Sequence, residues 1–212
     1  MIQETGNMNL ITSGTIVAGY RDANTMEFTP FLSQKNLVTY GGADIMAKII
    51  NGDCRYAING MYFGYDNGTP DAYESRKESV RSVTAMNFES SMSTGSKNFL
   101  RVPIITTGKI DKSPVDSQEY NGNSVTFVAS TASMGTVEVG GIHVAQGVRS
   151  GGNDFASNVS ISKIIRVALV AMPNQLTEHR NNDIIFSVSS LEVPIPAIEN
   201  SFIDIFWTLK FT

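Results

Sequence analysis

Residues 36–69 read NLVTYGGADIMAKIINGDCRYAINGMYFGYDNGT, and they contain the clearest helix signal in the chain. Thr39 suits an N-cap, because its hydroxyl can accept from an amide that the first turn leaves unpaired. Ile45, Met46, Ile49 and Ile50 recur at helical spacing, with Asp44 and Lys48 on the other side. Asn51-Gly52 then stops the helix, since both residue types tolerate the left-handed backbone that closes helices. From Ile58 the period changes to two. Ile58, Gly60, Tyr62 and Gly64 alternate with Asn59, Met61, Phe63 and Tyr65, the pattern of a strand. Asp66-Asn67-Gly68 ends it with hairpin-turn residues. A helix over residues 39–51 feeding a strand over 57–66 is the expectation, with Ile49 on the buried side. On that reading Ile49→Asp buries an unpaired charge and collapses folding.

Outward from this unit the pattern is β. Residues 8–20 read as one or two short strands with Gly14 at a bend, and residues 1–20 are alternatively an N-terminal arm packing on another subunit. Thr29 to Gln34 reads as a connector. Residues 70–98 are polar and weakly periodic, a long loop region anchored by Tyr73, Val80 and Val83. Phe99 to Ile110 is a strand that Pro103 confines to an edge or a bulge. Val125, Phe127 and Ala129 alternate, and shorter strands follow around Val137–Val139 and Ile142–Val144. Residues 159–172, VSISKIIRVALVAM, are apolar on both faces. Their β-branched content and the Pro173 stop favour a buried strand over a helix. Asp183 to Val193 places Ile184, Phe186 and Val188 on one face, and Pro194 with Pro196 makes a stiff linker. The cleanest alternation closes the chain: Ile203, Ile205, Trp207, Leu209 and Phe211 oppose Phe202, Asp204, Phe206, Thr208 and Lys210. Eight to ten strands without a βα series predict a mainly β chain. The expected architecture is a single antiparallel β-sandwich over residues 1–212, jelly-roll-like, with one helix.

Composition narrows the function classes. Charged residues are 17% of the 212, below the about 25% of ordinary soluble domains, and Gly, Ser, Thr and Asn are abundant. A surface partly covered by neighbours has this character. The net charge is −4 with a pI near 5.2 and no basic cluster, so there is no face to displace counterions from a nucleic acid. No apolar run approaches the ~20 residues of a membrane span, and Met1 to Gly6 lacks the charged start and apolar core of a signal peptide. The expectation is synthesis in a cytoplasm, with neither nucleic acid nor membrane as partner. The single cysteine, Cys54, allows no disulfide within the chain and reads as a small, partly buried side chain.

Catalytic and cofactor patterns are missing. His143 sits in GGIHVAQG and His179 in LTEHRNN, without the clustered ligands of a metal site. Gly41-Gly42 opens a helix but belongs to no phosphate-loop pattern, so these glycines read as allowing close approach to another backbone. Asp66, Asp71 and Glu74 lack calcium-loop spacing. Glu138, Asp154, Asp183 and Asp204 fall into no pattern that fixes an acid pair. No catalytic residue, metal ligand or cofactor is assigned, and the chain is read as non-enzymatic. Tyr62, Phe63 and Tyr65 are the candidate interface residues if the second face of their strand is not core; the alternative is ordinary packing within the chain.

Several stretches resemble a loose group of small virion structural proteins of tailed bacteriophages. NLVTYGGADIMAKIINGD (36–53) with INGMYFGYDNGTP (58–70) looks like the group's helix-then-aromatic-strand start. NSVTFVASTA (123–132), RVALVAMP (166–173) and NDIIFSVSS (182–190) are similar to its β body, and IDIFWTLKFT (203–212) to its tryptophan-centred last strand. The resemblance carries no catalytic residues. It implies a decoration, collar or tail-attachment component of the virion. Its partners would be further copies of itself and other virion proteins of the capsid, portal or neck, or tail. A receptor- or glycan-binding sandwich of a tail fibre is the alternative, with loops 64–73 or 147–157 over a groove. A polysaccharide hydrolase comes third.

Overall fold

The computed structural model describes residues 11–53, 56–66, 80–88, 97–104, 124–134, 136–139, 142–145, 163–172, 182–198 and 200–211. The strands are β1 (Ile11–Asp22), β2 (Phe28–Lys35), β3 (Leu37–Val38), β4 (Ile58–Asp66), β5 (Lys97–Pro103), β6 (Ser124–Ser130), β7 (Thr136–Val139), β8 (Ile142–Ala145), β9 (Lys163–Ala171), β10 (Ile184–Pro196) and β11 (Ser201–Phe211). Among the described residues the one α-helix, α1 (Tyr40–Ile50), lies between β3 and β4. The first sheet runs β2-β1-β11-β6 and the second β3-β10-β9-β4-β5, while β7 and β8 form a separate hairpin. Every pairing is antiparallel. The expected mainly β, sandwich-like architecture with one helix is what the chain adopts. The first strand lies beside the last, as in a jelly roll. The order departs from a strict jelly roll because β1–β2, β4–β5 and β9–β10 stay neighbours within a sheet.

Burial explains the two layers. The period-two pattern of β11 turns Ile203, Ile205, Trp207 and Leu209 inward, where they join Ile16 and Ala18 of β1. Across the interior they meet Met61, Phe63 and Tyr65 of β4, Val167 and Leu169 of β9, and Phe186 of β10. The second sheet is buried on its outer face as well. There Tyr62, Phe99, Ile165, Ala168 and Val170 are covered by Val83, Ala85 and Phe88 of segment 80–88. That is why β9 reads as apolar on both sides.

The structure corrects several expectations. Residues 11–20 are no arm: they are β1, paired with β11 on one side and β2 on the other. Residues 29–34 are no connector but the edge strand β2. Pro30 is tolerated at an edge, and a bulge at Phe31 interrupts the ladder to β1. Pro194 and Pro196 do not form a linker, because β10 runs through both. Between Ser190 and Ile195 β10 leaves its register with β9, so no ladder bond is asked of Pro194. There Gln34 of β2 takes over, donating to Ser190 O (2.9 Å) and accepting from Glu192 N (3.0 Å). A second irregularity, between Ile185 and Ser187, moves Val188 to the outer face, away from Ile184 and Phe186.

The helix ends as expected and packs differently. Thr39 caps it, its Oγ1 accepting from Gly42 N (3.0 Å) while donating to Ile185 O (2.5 Å). Gly42 is the point of close approach, since a Cβ there would lie 2.2 Å from Phe186 O. Ile45 is fully buried, but Ile49 is 42% exposed and Ile50 69%. The expected collapse on Ile49→Asp therefore loses its basis: the last turn of α1 overhangs the sheet.

Candidate interaction surface

The two buried carboxylates among the described residues, Asp183 and Asp204, are tied into the fold. On the outer face of the second sheet, Asp183 stands just before β10 and accepts from three donors. Arg101 of β5 gives Nε to Oδ2 (2.8 Å) and Nη2 to Oδ1 (2.9 Å), and the Tyr62 hydroxyl of β4 donates to Oδ2. The two charged side chains are 2% and 1% exposed, so this is a buried fork rather than an open acid, and the Tyr62 ring beside it packs against Phe88 and Phe99. On the outer face of the first sheet, Arg21 of β1 donates Nε to Asp204 of β11 (2.5 Å) and Nη1 to Met26 O (2.9 Å). Its guanidinium lies over the Phe28 ring, 5.8 Å from the centroid. Arg21 Nη2 and Asp204 Oδ1 have no hydrogen-bond partner among the described residues.

Thus Asp183 and Asp204 sit on different sheets, each neutralised by its own arginine. They do not form the facing pair of a glycoside hydrolase. Among the described residues no group of three or more His, Cys, Asp or Glu side chains is placed to hold a metal ion. His143 lies in β8 opposite Glu138 in the hairpin register. Cys54, Asp71, Glu74, Asp154, His179 and the loop 147–157 fall outside the described residues, as does most of loop 64–73. No helix among the described residues is long and apolar enough to cross a membrane.

The sequence-derived interface residues are not at the surface. Tyr62, Phe63 and Tyr65 are all fully buried within the chain. Phe63 and Tyr65 fill the sandwich interior, and Tyr62 lies beneath segment 80–88. Their strand is covered on both faces, so the contacts that the alternation was read to offer a partner are made within the chain.

Among the described residues the outward apolar groups lie elsewhere, singly at Met86 and in two groupings. The first is α1. Tyr40 is 67% exposed, and Ala43, Ala47 and Ile50 are exposed on the same side. At 3.6 residues per turn these four positions span about 80° of arc. Asp44 and Lys48 flank the stripe as an i,i+4 ion pair of 2.6 Å, with the Lys48 ammonium 4.4 Å from the Tyr56 ring centroid. Hydrogen bonding to Asp44, chiefly, raises the Lys48 pKa above its ordinary value.

The second place is the seam where β2 meets β10. Phe31 is exposed and stacks edge-on with Tyr20 at 5.5 Å, and Tyr20 Oη donates to Pro196 O (3.0 Å). Burial raises the Tyr20 pKa above its ordinary value. Val193 and Ile198 are exposed along this seam, and Met26 at the turn that follows β1. Met26 has φ 59°, in the left-handed region that a bulky residue enters only at a cost. Asp22 holds that turn, accepting from Asn24 N and Thr25 N at 2.8 Å each.

Comparison with protein-family models, curated proteins and solved structures gives no match to this chain.

The outward helix stripe was legible in principle. Tyr40, Ala43, Ala47 and Ile50 recur at helical spacing, as Ile45 and Ile49 do. An 11-residue helix with two apolar stripes shows which one packs only when the contact of Gly42 with β10 is known.

Proposed function

We propose that the chain is a non-enzymatic structural component of a tailed-phage virion, stabilising or connecting capsid, neck or tail through contacts with its own copies and with other virion proteins. The observation that carries this reading is the outward side of α1. The helix is fixed to β10 through Thr39 and Gly42, yet it holds Tyr40 and Ile50 about two-thirds exposed. Large apolar side chains held out on a fixed element suit protein–protein contact, where aromatic and aliphatic anchors contribute most of the affinity. The low charge content and the resemblance of residues 36–212 to small virion proteins point the same way.

Quantitative mass spectrometry of gradient-purified particles tests the reading. A fixed copy number per particle, in proportion to the capsid or tail proteins, is the expected result. Particles that lack the chain would refute it. The rival, a glycan- or receptor-binding sandwich of a tail fibre, is separated by binding assays on the purified chain. A stable monomer that binds an oligosaccharide would favour the rival.

A further inference from the structure

The outward stripe of α1 is self-complementary, and we infer that it is a two-fold contact between two copies of this chain, formed by antiparallel pairing of α1 with the α1 of the second copy. The inference rests on the reading that the chain works through contacts with its own copies, and it names the surface.

The pattern supplies the symmetry. A two-fold axis passing at position 45 exchanges position 40 with position 50 and position 43 with position 47. Each Tyr40 then meets the Ile50 of the second copy at the two ends, and each Ala43 meets an Ala47 in the middle. Two small residues between two large ones let the helix axes approach while the ends interdigitate, and isologous contacts require this kind of matched pattern. All four side chains are exposed in the single chain, so the contact needs no rearrangement.

Charge supplies the direction. The first turn of α1 carries no acidic residue, so its partial positive end is not compensated by a carboxylate there. Antiparallel pairing sets that end beside the partial negative end of the second helix. The flanking charges agree. At about 1.5 Å rise per residue, each Lys48 lies about 3 Å along the axis from the second copy's Asp44, against about 6 Å from its own. Along the axis the four groups are ordered plus, minus, minus, plus, while each Lys48 keeps its own Asp44 as ion-pair partner at 2.6 Å. A parallel pairing would place like helix ends and like charges side by side.

Apolar area sets the strength. One 11-residue helix face covers less than the about 800 Å² per partner of a stable complex, so the free chain forms a weak, concentration-dependent dimer that a particle would reinforce. Sedimentation velocity of the full chain from about 1 μM to about 1 mM tests this. The expected result is a monomer–dimer equilibrium that Ile50→Glu weakens about tenfold or more, with circular dichroism and melting temperature kept because Ile50 is exposed. Asp44→Lys alone weakens it, and adding Lys48→Asp restores it. A wild-type chain that stays monomeric throughout would overturn the inference, as would self-association that Ile50→Glu leaves unchanged. Neither outcome bears on whether the chain is found in purified particles, so the two readings fail separately.

Discussion

The outer faces of the two sheets each hold one buried arginine–aspartate pair, and the two pairs are built differently. In the second sheet, Arg101 reaches both oxygens of Asp183, Tyr62 adds a third donor, and the ring of Phe88 lies over Tyr62. In the first sheet, Arg21 reaches one oxygen of Asp204 and spends another donor on Met26 O, within the turn that follows β1. The first pair is completed by a side chain of β4; in the second, the arginine is shared with a turn carbonyl. Because each buried charge is costly to desolvate, removing one partner is damaging in proportion to how completely the pair is satisfied and enclosed.

The largest effect is therefore expected at Asp183. Asp183→Ala takes away the carboxylate that accepts two Arg101 donors and the Tyr62 hydroxyl, and it should cost about 3–5 kcal/mol in urea denaturation. Asp204→Ala should cost less, about 2 kcal/mol, because Arg21 keeps Met26 O and the Phe28 ring. Equal losses, or a larger loss at Asp204, would break the distinction between the faces. Ile49→Asp is expected to cost about 1 kcal/mol or less in the same assay, as the side chain is 42% exposed. Insoluble Ile49→Asp protein would restore the buried placement that the helical pattern suggested.

The smallest effect carries the pH dependence. Backbone hydrogen bonds from Thr25 and Asn24 lower the Asp22 pKa below the ordinary carboxylate value. A group with a lowered folded pKa contributes stability above its unfolded value, near 3.9, and loses it as pH falls through the folded value. Asp22→Ala should therefore destabilise at neutral pH, and the gap to the parent chain should close as pH drops below about 4. Denaturation curves at several pH values check this. A gap independent of pH would mean that the turn around Met26 holds without the Asp22 charge.

How far the fold was legible follows from the same contrast. A regular period of two announces a strand, and β11 showed it through Ile203, Ile205, Trp207 and Leu209. The twice-buried β9 was readable from its β-branched run. The edge strand β2 was not, because polar residues, Pro30 and the bulge at Phe31 erase its period. Nor could sequence foresee that Asp204 and Phe206, on the polar-looking side of β11, are buried too. The partner of Asp204 lies 183 positions away, at Arg21. The site reading failed at Tyr62, Phe63 and Tyr65 for a related reason. An aromatic strand looks the same whether its second face meets a partner or, as here, segment 80–88. The exposed Tyr40 and Ile50 were in view at helical spacing, but the packing of Gly42 on Phe186 decides which stripe turns outward.

Hydroxyl-radical footprinting of the free chain, and of the chain within purified particles, tests the claim that contact surfaces carry the function. Tyr62, Phe63 and Tyr65 should be silent in both states. Tyr40, Ile50 and the exposed Met26 and Met86 should be modified in the free chain, and Tyr40 with Ile50 should become protected in the particle. Equal modification of every exposed apolar side chain in the two states would contradict the account.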